Sequence, residues 1–161
     1  MSFPSSSTDT LRGRLAMKIS SRFGSIETDA NDILLFPTGL LGLEQCRRWI
    51  LLADQHNKTV AWLQSIDQPA LCLAVVSPRR FVPGYQIRVA RRELGSLELD
   101  DVRTATVLAI VTRTSRGLAL NLKAPVLINV QRRLGRQVVT NGELPVRYEL
   151  GGPAVEVRKS A

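Results

Sequence analysis

The residue types that could carry chemistry are few here, and each stands apart. The single histidine, His56, lies in Asp54-Gln55-His56-Asn57-Lys58. A catalytic imidazole needs a nucleophile on one side and an orienting group on the other. Asp54 is a candidate orienter, but no Ser or Cys stands at a recognisable nucleophile elbow. His56 therefore reads as a histidine of a polar turn. Two cysteines, Cys46 and Cys72, are too few for a disulfide framework, and with one His they fit no zinc spacing. They read as small core hydrophobes. Glu98, Asp100 and Asp101 could hold a cation, but turn or helix-start capping suits the same residue types. No glycine-rich loop ends in Gly-Lys-Ser/Thr. The side chains point away from an enzyme and toward a binding protein, with no cofactor and no metal expected.

The elements that must carry a binding surface follow from composition and pattern. The chain has 161 residues, a formal net charge of +8, 44% hydrophobic and 22% charged residues. That is ordinary globular composition for one domain. Uncharged stretches fall well short of the ~20 apolar residues of a membrane helix, and residues 1–16 have no apolar signal core. A cytoplasmic location is the expectation. Residues 1–16 are rich in Ser and Thr and read as a flexible extension or as an upstream start ahead of Met17, 17–150 as the domain, and 151–161 as a tail.

Within the domain the pattern is mainly all-β. Apolar or alternating runs recur at 18–23, 33–36, 49–53, 60–65, 71–76, 85–90, 104–112, 118–122, 126–130, 137–140 and 146–150. Pro, Gly, Asn and Asp punctuate them. This predicts a small antiparallel β-barrel or sandwich. Val107–Val111 is apolar on both faces and suits a central strand. One or two short helical turns are expected, at 90–97 and 44–48.

Charge is uneven. Residues 68–92 hold five Arg and no acid, and residues 102–142 hold seven basic residues and no acid. A basic face on a barrel is the footprint of nucleic-acid binding. Direct binding of RNA or another single strand is therefore the alternative function. Stacking platforms would be needed for it, and Trp49, Trp62, Phe23 and Phe36 lie in apolar runs.

Two segments are unusual. Phe36-Pro37-Thr38-Gly39-Leu40-Leu41-Gly42-Leu43-Glu44 is a loop by its Pro and Gly, yet it carries three leucines. Such a loop is either tucked into the core or offered to a partner. In Asn121-Leu122-Lys123-Ala124-Pro125-Val126-Leu127-Ile128-Asn129, Pro125 suits an edge or a strand start. An edge there would accept an incoming peptide strand.

These segments resemble the flagellar assembly factor family FliW. Residues 36–44 are similar to its FPxGLxGFE loop, with Leu43 in place of Phe. Trp62-Leu63-Gln64-Ser65 is similar to its WLQS, Val107–Thr112 to VLAIVT, and Asn121–Asn129 to NLxAPIxIN. The strand 71–78, Tyr85, Gly135-Arg136-Gln137-Val138 and Pro145-Val146-Arg147 continue the match in order, with Leu144 and Tyr148 departing from it. Met17-Lys18-Ile19 resembles the family's usual start.

The resemblance implies a β-barrel that binds proteins without catalysis. It implies capture of the translational repressor CsrA at a site away from its RNA site, which frees flagellin mRNA, and binding of flagellin itself. The expected contact surface is the loop, through Phe36, Pro37, Leu40, Leu41 and Leu43, together with Asn121, Lys123, Pro125 and Asn129. Leu40 and Leu41 are expected to be the anchors, with Arg136 and Gln137 as polar rim. Many members of the family are acidic, so the +8 charge is a departure.

Overall fold

Short alternating segments separated by tight turns fold into strands that wind into a closed barrel. The computed structural model describes residues 15–151. The expectations for a flexible extension and for the tail beyond 151 fall almost wholly outside them. The strands are β1 (Ala16–Ser21), β2 (Gly24–Asp29), β3 (Leu34–Leu35), β4 (Arg48–Ala53), β5 (Val60–Ser65) and β6 (Cys72–Val76). A short helix α1 (Arg91–Gly95) follows, then β7 (Thr106–Thr114), β8 (Gly117–Leu120), β9 (Val126–Asn129), β10 (Leu134–Gln137) and β11 (Tyr148–Glu149).

The ring runs β7-β6-β5-β4-β3-β10-β9 and closes where β9 pairs back to β7. Its pairings are antiparallel except β3 with β10, which is parallel at Leu35 and Leu134. Closure depends on the nine residues of β7. Thr106–Leu108 pair with β9, Ala109 and Ile110 with β6, and Val111–Thr114 with β8. Both faces of β7 are covered as its pattern predicted. Leu108 and Ile110 join the barrel interior, while Val107, Ala109 and Val111 pack on the outside against Tyr85, Leu120 and Leu122. The interior is filled by Leu34, Phe36, Leu40, Trp49, Leu63, Val75, Val126 and Ile128. Phe36 and Trp49 meet edge to face at 6.3 Å. The β1–β2 hairpin covers the outer face of β4, where Ile19 packs with Ile50 and Leu52.

Several elements differ from the sequence expectation. The run 18–23 is not one strand: Arg22 and Phe23 turn the chain, and the polar segment Gly24–Asp29 returns as β2. Residues 85–90 form no strand. Their backbone groups are met singly, Arg88 N–H by Thr140 Oγ1 and Arg88 C=O by Asn141 N–H, rather than by a ladder. Residues 44–48 form no helical turn, because Asp67 accepts the N–H groups of Arg47 and Arg48 and sends the chain straight into β4. β10 begins earlier than 137, since Arg133 at φ 55° closes a tight turn after β9. β9 is also no edge. It pairs with β10 on one side and β7 on the other, so barrel closure leaves it no free ladder for a peptide.

Candidate functional site

The loop 36–44 is a folded-back turn pinned at both ends. Gly39 takes φ +68°, and a Cβ there would stand 2.6 Å from the Glu44 backbone, so glycine is required twice over. Leu43 N–H donates to Leu40 C=O at 2.8 Å, and Cys46 N–H to Leu43 C=O at 3.0 Å. Gly42 N–H donates to Glu44 Oε2 at 2.9 Å. That hydrogen bond holds the Glu44 carboxyl below the usual carboxylate range. The leucines divide between the two sides. Leu40 is 2% exposed in the barrel interior, Leu43 is half-buried, and Leu41 is 56% exposed. Pro37 is exposed and Phe36 fully buried.

Gln137 joins this loop to the second segment. Its Oε1 accepts the Leu41 N–H at 2.9 Å, and its Nε2 donates to Ala124 C=O at 2.9 Å. Arg136 makes a second link, donating to both Glu93 carboxylate oxygens at 3.0 and 3.2 Å and reaching Thr38 Oγ1 at 3.5 Å. The loop, α1 and residues 121–125 are thus tied together by two consecutive side chains of β10 and its end.

In the second segment, Asn121 Oδ1 accepts the Ala124 N–H at 3.0 Å, an Asx-type turn. Lys123 Nζ donates to Gly142 C=O at 2.6 Å. Pro125 is buried, and its carbonyl accepts the Val138 N–H. Asn129 lies at the far end of β9, buried, with Nδ2 donating to Leu97 C=O at 2.8 Å and Oδ1 accepting the Arg132 N–H. The sequence-expected residues therefore split. Pro37, Leu41, Leu43, Asn121, Lys123, Arg136 and Gln137 reach the surface at least in part, while Phe36, Leu40, Pro125 and Asn129 are framework. Leu40 offers no anchor unless the loop opens. Glu93 and Thr38 were not anticipated: Glu93 stands 43 residues from Arg136, and no local pattern marks the pair.

The arginine blocks look different in space. Arg103 pairs with Asp101 at 2.7 Å, Arg132 with Glu98 at 3.4 Å, and Arg136 with Glu93 at 3.0 Å. The acidic stretch 93–101 thus faces the block that lacks acids in sequence. Asp101 is held at about 2 by the Arg103 side chain. Arg79 and Arg103, one from each block, line a cleft of about 460 Å³ beside Tyr85 and Gln86. Arg79 Nε donates there to Tyr85 C=O. His56 lies in a turn held by Asp54, whose Oδ2 accepts the N–H groups of His56 and Asn57. Cys46 and Cys72 are free and buried. Among the described residues, His, Cys, Asp and Glu form no group of three or more that could hold a metal ion. No helix among them is long and apolar enough to cross a membrane.

Comparison with known proteins matches this arrangement to one family. The family model described as FliW protein matches residues 18–150. The flagellar assembly factor FliW of Natranaerobius thermophilus is 38% identical over 127 residues, covering 76% of this chain and 84% of the relative. That of Bdellovibrio bacteriovorus is 36% identical over 131 residues, covering 80% and 75%. A crystal structure of a flagellar assembly factor FliW superposes with a TM-score of 0.76 at 30% identity, covering 83% of this chain and 96% of that one.

Proposed function

The chain belongs to the FliW family of flagellar assembly factors, and from that premise we propose that it is a non-catalytic cytoplasmic regulator that binds CsrA and flagellin. Capture of CsrA relieves its repression of flagellin mRNA translation, and flagellin competes for the same pool. The observation that best supports a docking role is the loop 36–44: a surface leucine, Leu41, held on a rigid turn by Gln137. A preorganised apolar side chain loses little freedom on binding, which is what an interface anchor requires. Arg136, Lys123 and Pro37 supply its surroundings.

Leu41→Asp tests this reading. The variant should keep its unfolding midpoint, since Leu41 is exposed, and should bind CsrA at least about tenfold more weakly, a charge being forced into an apolar contact. Wild-type affinity in a folded Leu41→Asp protein would remove the loop from the interface. Leu40→Asp is a folding control, because it places a carboxylate in the core.

The cleft between Arg79 and Arg103 is what favours a second reading, direct RNA binding. Against it, Arg103, Arg132 and Arg136 are already paired with acids. RNA affinity that falls steeply with salt would support that reading.

A further inference from the structure

A different face carries a groove that the loop reading does not use. It lies between the β1–β2 turn and the Asp54 turn, with a volume of about 540 Å³. Its apolar walls include Phe23, Ile26, Leu52 and Trp62. Phe23 stands at the hairpin turn, 55% exposed, with its ring edge-on to Trp62 at 5.5 Å. The charged residues at the groove are Glu27 and Asp54, with His56 beside them. In a chain of net charge +8, the two charged side chains that line this groove are acidic and stand next to aromatic surface, with Lys18 and Lys58 at its margins.

We propose that this groove takes an Arg or Lys side chain of a basic protein partner. Aromatic faces attract a cation through the ring quadrupole, and apolar walls cover the methylene stem that such a side chain carries. Asp54 supplies the main counter-charge. It is already oriented: Trp62 Nε1–H donates to Oδ1 at 2.9 Å, while the His56 and Asn57 N–H groups hold Oδ2. The Trp62 hydrogen bond, first, and the two backbone donors keep it ionised below the usual carboxylate range. Glu27 adds a second carboxylate, although Lys18 lies opposite it in the hairpin register. The identity of the partner rests on the CsrA reading. A basic regulator approaching a basic RNA-binding protein meets like-charge repulsion, and a cation-accepting groove gives the approach a favoured orientation.

Two measurements test the groove. In the first, the full ¹⁵N-labelled chain is titrated with N-acetyl-arginine amide and, separately, with N-acetyl-citrulline amide, its uncharged isostere. The Trp62 indole N–H resonance should shift saturably with the arginine compound and hardly at all with citrulline. The Trp49 indole, bonded to Cys46 C=O in the core, is the internal reference and should not move. Equal response to both compounds, or response to neither, overturns the site. In the second, CsrA is titrated calorimetrically into wild type, Phe23→Ala and the Phe23→Ala/Glu27→Gln double variant. Binding should weaken about threefold and about tenfold, respectively. Unchanged affinity in both folded variants overturns the groove as a docking point and leaves the CsrA reading intact. If wild type does not bind CsrA, that reading fails, and the arginine titration alone decides the groove.

Discussion

Gly135 faces the Phe36 ring so closely that a Cβ would stand 2.2 Å from Cζ. Phe36 is fully buried against Trp49, so the ring has nowhere to swing. Gly135→Ala should therefore cost about 3 kcal/mol from overpacking, read as a drop in the urea midpoint. Tyr85 offers a second test at this scale. Its hydroxyl donates to Leu122 C=O at 2.7 Å in a buried setting. Burial pushes the phenol from 10.0 to about 12. The unfolded chain thus loses this proton first as pH rises. The contribution is fully present below pH 10 and is lost between about 10 and 12. Tyr85→Phe forfeits the hydrogen bond, about 1 kcal/mol at pH 8. It also lacks the alkaline loss, so the gap between the two urea midpoints should narrow at pH 11.

Among the elements, the loop 36–44 and residues 121–125 depend on Gln137 for their relation. Gln137→Ala should free the Leu41 N–H, which then exchanges with solvent faster in a hydrogen-exchange measurement. Stability should fall by about 1–2 kcal/mol, because Ala124 C=O also loses its donor. CsrA binding should weaken with it, since the anchor is no longer preorganised. Unchanged exchange at Leu41 would show that the turn holds itself. The sequence made some of this legible. Alternation and turn residues marked β4, β5, β6 and β7, and the Pro and Gly of residues 36–44 marked a loop. Which leucine faces inward was not legible, because three leucines in a turn follow no period. β2 was hidden by its polar residues, and residues 85–90 looked like a strand although their partners at 140–141 bind them singly. The Arg136–Glu93 pair was invisible for lack of any local signal across 43 residues.

For the whole molecule, closure and charge decide how a partner can approach. Closing the barrel through β7 removes β9 as a docking edge, whereas β11 and the β1–β2 hairpin keep ladder edges that no strand among the described residues pairs. The excess charge of +8 is spread over a surface where acids 93–101 offset part of the second arginine block. Rim charges mainly set association rate and salt dependence, whereas a buried apolar anchor sets dissociation. The apolar anchor should keep CsrA affinity within a modest fall between low and physiological salt, the charged groove accounting for that fall, while any RNA contact should fade over the same range. Calorimetric titration of this protein with CsrA from the same organism at two salt concentrations, with flagellin and a short RNA in parallel, decides between protein capture and RNA binding. CsrA docking through the loop requires tight, salt-tolerant binding of CsrA, binding of flagellin, and no RNA binding at physiological salt. Salt-sensitive RNA binding without CsrA binding would overturn the assignment as a CsrA-binding regulator.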